Sequence, residues 1–245
     1  KDGEAQAAVS AGNTGALLTS SLFLIGKIPG IRRPAFAPFI PTNNGGFILC
    51  DAGANADSKP QHLVQFALMA SAYIEHLKNR PNPKVALLNI GQEENKGNEL
   101  MTNAYPMLKT HVRNFIGNIE SRYILEGNAD VIICDGFTGN IALKVSEGLV
   151  DVIEALLQEE LSSTFTAKLG YLVSRHAYRR LQKRVDYSEY GGAPLLGAEG
   201  LCIIGHGQSS VKAIRNAIVT ASRFTKCDLI GSFKKEILSS NTIKS

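Results

Sequence analysis

The chain has 245 residues, with 26 Lys and Arg against 22 Asp and Glu, and its net charge of +4 is too slight to name a polyanionic partner. Hydrophobic residues at 44% exclude a disordered chain, while 7% aromatics and no Trp argue against a stacking surface for nucleic acid. No apolar stretch reaches the ~18 residues of a membrane span; even residues 16–31 are broken by Thr19, Ser20, Ser21, Lys27 and Pro29.

The chain opens on Lys1-Asp2-Gly3-Glu4, without an initiator Met or a secretory signal, and an upstream part is expected to be missing. Short apolar runs then alternate with helical patterns. The runs cover 7–12, 47–53, 85–91, 131–136 and 201–207, each closing on a polar residue or Gly. Continuous apolar runs predict strands covered on both faces, hence an α/β fold with a largely parallel sheet and crossover helices. Residues 33–46, with Phe36, Phe39 and Ile40 before Asn43-Asn44-Gly45-Gly46, predict an extended segment and a hairpin turn. Residues 61–77 predict a helix, with Leu63, Phe66, Ala70, Tyr73, Ile74 and Leu77 on one stripe. A second helix follows from Val211, Ile214, Ala217, Ile218 and Ala221, and the tail 239–245 is expected to fray. At ~150 residues per domain the length admits one large domain or two small ones. A single α/β domain over 1–245, with a helical arm at about 150–187, is expected. Cys50, Cys134 and Cys202 lie within apolar runs, Cys227 lies outside them, and no ligand spacing is present. The cysteines therefore read as buried thiols of a reducing compartment, and no metal or cofactor is expected.

In open parallel sheets, ligands gather beyond the carboxyl ends of the strands. Ser10-Ala11-Gly12-Asn13-Thr14-Gly15 is a Gly-rich turn opening a helix, suited to an anion or, equally, to a simple helix cap. The shape recurs at Asp135-Gly136-Phe137-Thr138-Gly139-Asn140, and two such turns suggest facing walls of an anion pocket. Between them, residues 91–99 carry Lys96, a solvated loop charge unless it points into that pocket. Residues 191–197 read as a rigid loop bounded by Gly191, Gly192 and Gly197, and His206 reads as a capping group or substrate contact.

In order, S-A-G-N-T-G-A, G-K-I-P-G-I-x-R-P-A, C-D-A-G-A-N, K-G-N-E-L, C-D-G-F-T-G-N, Y-G-G-A-P-L-L-G and G-H-G-x-S run from about Ala7 to about Phe224. This series resembles the bacterial phosphate acyltransferases of phospholipid synthesis. The resemblance implies a fold like that of phosphate acetyltransferases and isocitrate dehydrogenases, and an upstream segment with a Gly-Gly-Asp-His motif that this sequence does not contain. It also implies transfer of a long acyl group from acyl carrier protein to inorganic phosphate. Phosphate is itself the nucleophile, so the site needs to hold it against the thioester and stabilise an oxyanion. Lys96 and Asn140 are the expected reacting centre, with Asp135 either orienting Lys96 or capping its helix. The matched motifs put Ser10, Asn13, Thr14, Gly15, Asp51, Asn55, Gly97, Thr138, Gly139, Gly191, Gly192 and His206 among the expected phosphate or substrate contacts. Two alternatives stay open: a coenzyme A-dependent phosphate acetyl- or butyryltransferase, and an inactive membrane or carrier-protein docking module.

Residues 168–184 hold Lys168, Arg175, Arg179, Arg180, Lys183 and Arg184 with no carboxylate, and Leu169, Val173, Ala177 and Leu181 recur every fourth position. A basic amphipathic helix of this kind lies on an anionic bilayer, docks an acidic carrier protein, packs into a dimer, or is an ordinary core helix with a solvated face. Leu169, Leu172, Val173, Arg179, Arg180, Lys183 and Arg184 are the expected contacts. The resemblance places this region at a membrane-touching dimer tip and implies a cytoplasmic, peripherally associated homodimer.

Overall fold

The computed structural model describes residues 3–186, 189 and 191–239. In chain order the elements are β1 (Ala7–Ser10), α1 (Thr14–Leu24), β2 (Ala35–Phe36), β3 (Phe39–Ile40), β4 (Phe47–Cys50), α2 (Pro60–Lys78), β5 (Val85–Asn89), α3 (Glu99–His111), β6 (Phe115–Glu120), β7 (Val131–Ile133), α4 (Gly136–Ser163), α5 (Phe165–Val185), β8 (Ala193–Leu196), β9 (Leu201–Ile204), α6 (Val211–Lys226) and α7 (Leu229–Ser239). Local chemistry sets the helix starts. Asn13, Asn98, Asp135, Thr164 and Ser210 each accept a first-turn N–H on their side chains, and Pro60 opens α2 where no amide is needed.

Every apolar run predicted as a strand is one, and the fold is α/β, but the strands form two sheets. The first has the order β1-β9-β8-β2, with β1 parallel to β9 and β8 antiparallel to both of its neighbours. The second has the order β3-β4-β7-β5-β6, parallel throughout except for β3 at its edge. The predicted extended segment joins them. β2 pairs with β8 in the first sheet, and two residues later β3 folds back on β4 as the expected hairpin.

α2 is buried around most of its circumference rather than along one stripe: residues 62–70 are all inaccessible, because the helix is covered by both sheets, α3 and α7. In α6 the core-facing stripe is Ala213, Ala217, Ala221 and Phe224, which keeps Ala217 and Ala221 of the predicted one but not Val211, 88% exposed, or Ile218, 54% exposed. Small alanines face inward because α6 lies directly on β1 and β9, and Phe224 reaches Tyr73 of α2 with ring centroids 5.2 Å apart. The predicted loop at 191–197 is a turn followed by β8, because Pro194 and its neighbours extend against β9. Cys50, Cys134 and Cys202 are buried free thiols, as expected, and Cys227 is exposed. The predicted frayed tail falls largely on 240–245, and Tyr190 of the matched motif likewise lies outside the described residues.

The helix that begins at Gly136 runs unbroken to Ser163, about 42 Å at ~1.5 Å per residue. It starts directly after β7, at the Gly-rich turn that the sequence marks as a helix opening. Only Gly136 and Gly139 are buried; Val145, Leu149, Val152 and Leu156 are more than half exposed. α5 packs on α4 and has no buried residue among those described. No helix among the described residues is long and apolar enough to cross a membrane.

Emptying the position where α2 and α6 meet is expected to cost most. Phe224→Ala should lower unfolding free energy by ~3–5 kcal/mol in a urea titration, whereas Val211→Ser should stay within ~0.5 kcal/mol of the parent.

Candidate functional site

The two Gly-rich turns stand at strand ends, but in different sheets: Asn13 follows β1 in the first, and Asp135 follows β7 in the second. The β4–α2 loop lies between them. Its Gly53 faces α4, where an added Cβ would sit 3.5 Å from the Asn140 Oδ1. Its Ala54 joins the apolar cluster that holds Leu17 and Leu18 of α1.

That loop is fixed by Asp51, which is fully buried. One carboxylate oxygen accepts from Phe36 N–H at 2.9 Å and Ala54 N–H at 3.0 Å; the other accepts from Asn55 N–H at 2.7 Å and Asn55 Nδ2 at 2.8 Å. Burial pushes the carboxyl above its ordinary value, and the donors of Ala54, Asn55 and Phe36 pull it back. Asn55 also donates to the Pro34 carbonyl at 2.7 Å. Both residues therefore shape the site from beneath. Gly136 and Gly139 complete the contact: a Cβ at Gly136 would lie 2.7 Å from an Asp51 carboxylate oxygen, and one at Gly139 would collide with the Asp51 carbonyl.

Asp135 caps α4, with one oxygen taking the Thr138 N–H at 2.9 Å and the other the Thr138 hydroxyl at 2.8 Å. These bonds assign it the capping role of the two that its sequence left open. Asn140, on the same opening turn, is exposed, as is Asn13, whose side chain takes the Ala16 N–H at 2.9 Å.

Lys96 projects from the loop after β5, which pairs with β7, so that loop follows the strand next to the one leading into α4. Lys96 is exposed, and its backbone is held by Asn89, whose Nδ2 donates to the Lys96 carbonyl at 2.9 Å. Asn89 is buried, and Gly97, at φ +98°, passes so close that a Cβ there would approach the Asn89 Oδ1 to 2.5 Å. The positioning role of Asn89 was missed in the sequence; a polar residue closing an otherwise apolar strand is the signal that marks it.

His206 lies in the turn between β9 and α6, where its Nδ1 accepts from Gln208 N–H at 3.2 Å, and the preceding Gly205 donates to the Ser10 carbonyl at 2.7 Å. Ser10, Asn13, Thr14, Gly15 and His206 thus gather at one end of the first sheet. Asp51, Asn55, Lys96, Gly97, Asp135, Thr138, Gly139 and Asn140 gather at the carboxyl ends of β4, β7 and β5 in the second. Gly191 and Gly192 lead into β8, whose first residue pairs with Ile204, the partner of Ser10, so they lie at the same end of the first sheet. Both have positive φ, and they press on α6 and on β9, where a Cβ at Gly192 would lie 2.7 Å from the Ile204 carbonyl oxygen. The basic residues of α5 stand apart, on the projecting helix pair. A cavity of about 270 Å³ lined by Gln92, Asn118 and Tyr123, and another of about 300 Å³ lined by Ser71, Glu75 and Pro83, include none of the predicted contacts. No cluster of three or more His, Cys, Asp or Glu among the described residues could hold a metal ion.

Residues 1–231 match the fatty acid synthesis protein family. The phosphate acyltransferase of Thermodesulfovibrio yellowstonii is 52% identical over 226 residues, covering 92% of this chain and 66% of that protein. That of Clostridium perfringens strain SM101 is 48% identical over 238 residues, covering 97% and 70%. The chain thus spans about two thirds of the length of these relatives. Among solved structures, a phosphotransacetylase from Streptococcus pyogenes aligns with a TM-score of 0.56 at 18% identity, covering 91% of this chain and 64% of that one. A branched-chain phosphotransacylase from Enterococcus faecalis aligns with a TM-score of 0.56 at 15% identity, covering 91% and 75%. The fold is therefore phosphate acetyltransferase-like.

Gly139→Ala should overpack the contact between α4 and the Asp51 loop, lowering unfolding free energy by ~1–3 kcal/mol in a denaturant titration. Asp51→Ala should cost at least as much, because it strands buried N–H donors.

Proposed function

Because the chain belongs to the fatty acid synthesis protein family, alongside the phosphate acyltransferases, we propose that it transfers a long-chain fatty acyl group from acyl carrier protein to inorganic phosphate, yielding acyl phosphate for phospholipid synthesis. The observation that carries this reading is the pinned β4–α2 loop between two polar-capped helix openings, with Asn140 beside Gly53 and Lys96 on a neighbouring loop. Helix N-termini offer fixed N–H groups and the positive end of the dipole to a phosphate dianion. A phosphate oxygen attacks the thioester carbon and forms the C–O bond, which leaves the former carbonyl oxygen as an oxyanion; as this re-forms the carbonyl the C–S bond breaks, and the departing thiolate takes up the proton phosphate gives up. Lys96 offsets charge and Asn140 donates to the oxyanion; no covalent enzyme intermediate is needed.

The helix pair α4–α5 belongs to the same reading. Leu169, Leu172 and Val173 are exposed on α5, beside Arg179, Arg180, Lys183 and Arg184. The side of α5 that is partly covered carries Ala167, Ser174 and Tyr178 instead. Shallow insertion of the apolar residues together with attraction of the cations to anionic lipid attaches a homodimer peripherally to the cytoplasmic face of a membrane.

In the full-length protein, with carrier-bound palmitate and phosphate as substrates, Lys96→Ala and Asn140→Ala should each lower turnover by ~100- to 1,000-fold without changing thermal unfolding. A variant that keeps parental turnover and phosphate affinity has no role at the reacting centre. Activity with acetyl-coenzyme A instead of the carrier-bound substrate would favour the phosphotransacetylase alternative.

Replacing Arg179, Arg180, Lys183 and Arg184 together by Gln should release the protein from anionic vesicles in sedimentation while leaving transfer in solution intact. Parental binding should weaken with added salt, as screening over ~8 Å at physiological ionic strength requires.

A further inference from the structure

The turn that carries Lys96 is tied to the second sheet at both of its ends. It spans Glu93 to Lys96 and closes through the Lys96 N–H, which donates to the Glu93 carbonyl at 3.1 Å. Its last carbonyl, that of Lys96, takes the Asn89 Nδ2 bond at 2.9 Å. Its first carbonyl takes a second donor: Asn118 Nδ2, from β6, reaches the Glu93 oxygen at 2.6 Å. A carbonyl oxygen has two lone pairs, so one serves the turn and the other the strand. Asn118 leaves its own Oδ1 buried with no partner among the described residues, so the bond to Glu93 is the one its amide is committed to. The cavity of about 270 Å³ lined by Gln92 of this loop and by Ile116 and Asn118 lies alongside, so the loop meets β6 here through that bond rather than through packed side chains.

β6 is shaped to make this bond possible. Val85 of β5 opposes Phe115 of β6, but Leu87 opposes Asn118, so β6 takes three steps where β5 takes two. The extra residue falls at Ile116-Gly117, where Gly117 has φ +94°, a backbone conformation that glycine adopts without a Cβ penalty. One inserted residue reverses the facing of the side chains beyond it, so the bulge decides which side of the sheet Asn118 addresses. Gly117 also makes room for Tyr105 of α3: a Cβ there would lie 3.3 Å from the Tyr105 hydroxyl. That hydroxyl donates to Glu94 Oε1 at 3.1 Å, and Lys109 Nζ donates to the same oxygen at 2.8 Å. The bulge therefore serves the turn twice, through Asn118 at Glu93 and through Tyr105 at Glu94. Re-aiming a side chain beside a reacting centre is a recurrent use of such bulges.

We propose that Asn118, presented by the Gly117 bulge, is a positioning residue: by holding the Glu93 carbonyl it fixes the turn from which Lys96 serves acyl transfer. The link to transfer rests on the role given to Lys96 above; the hold on the turn does not. Lys96 is exposed, and its turn is bound to the sheet through backbone carbonyls, so the root of its side chain moves when the turn moves. Two anchors on neighbouring strands restrain a rotation that either one alone would leave. A cation that offsets charge developing in the reaction has to be in place beforehand, and a displacement of ~1 Å costs up to ~100-fold in rate.

The test uses the full-length protein with carrier-bound palmitate and phosphate as substrates. Asn118→Asp keeps the side-chain shape but removes the donor and sets a carboxylate against the Glu93 carbonyl; Asn118→Ala takes its place if circular dichroism melting shows the first variant unfolded. Either should lower kcat by ~10- to 100-fold, with KM for the acyl donor and the melting temperature near the parent's. In a Lys96→Ala background the same substitution should have no further effect, because a residue that acts through Lys96 then has nothing left to position. Hydrogen exchange should quicken at residues 91–97 and stay unchanged in β5 and α4. A folded variant with parental kcat, or an equal loss of kcat with and without Lys96, overturns the proposal. If the parent transfers no acyl group, or Lys96→Ala turns over as the parent does, the reacting centre proposed above falls and exchange alone judges the clamp. Unchanged protection of 91–97 in the Asn118 variants then overturns it, and faster exchange confined to that turn supports it.

Discussion

The Asp51 carboxylate is the interaction on which this architecture turns. β4 delivers it into the interior, where one oxygen takes an N–H from β2 in the first sheet and the other takes two from the loop that leads to α2. A buried carboxylate is costly unless its lone pairs are met, and here backbone and amide donors meet them. The result joins the two sheets. The glycines at 136 and 139 follow from the same constraint, since α4 starts so close to the Asp51 backbone that no Cβ fits.

This pinning separates scaffold from surface within the motifs. Asp51, Asn55, Asp135, Asn89 and the glycines at 191 and 192 direct their polar groups or close approaches into the protein, so their contribution is shape. Asn13, Lys96, Asn140 and His206 stay exposed at the rims that this scaffold holds. A rigid lower layer under exposed donors is what electrostatic stabilisation of an oxyanion needs, because donors already oriented do not have to reorganise during reaction.

The helix pair obeys a different rule. α4 is capped and buried only where it meets the Asp51 loop; beyond that, its apolar residues and those of α5 remain in solvent. Large exposed apolar patches commonly mark contacts, and α5 adds an excess of arginine and lysine to this pair. The candidate site and the exposed helix pair thus lie towards two ends of one helix, with Asp135 at its root.

Much of this was legible in the sequence. Continuous apolar runs marked the buried strands β4, β5, β7 and β9, and polar caps marked where α1 and α4 begin, because both signals are local. β6 was hidden by Gly117, at φ +94°, and by Asn118, which interrupt its apolar pattern; β8 was hidden by the paired glycines and Pro194 before and within it. Periodicity also misplaced the inward face of α6, since Val211 and Ile218 look like core residues until α6 lies close enough to β1 and β9 that only alanines fit between them. The sequence by itself determined the fold class, the strand ends that carry the candidate residues and the basic arm, all properties of neighbours along the chain. Tertiary structure alone decided the division into two sheets, the burial of α2 and the bond from Phe36 N–H to Asp51 that ties the sheets together. Each of these depends on groups far apart in sequence, which only packing and backbone hydrogen bonds bring within reach.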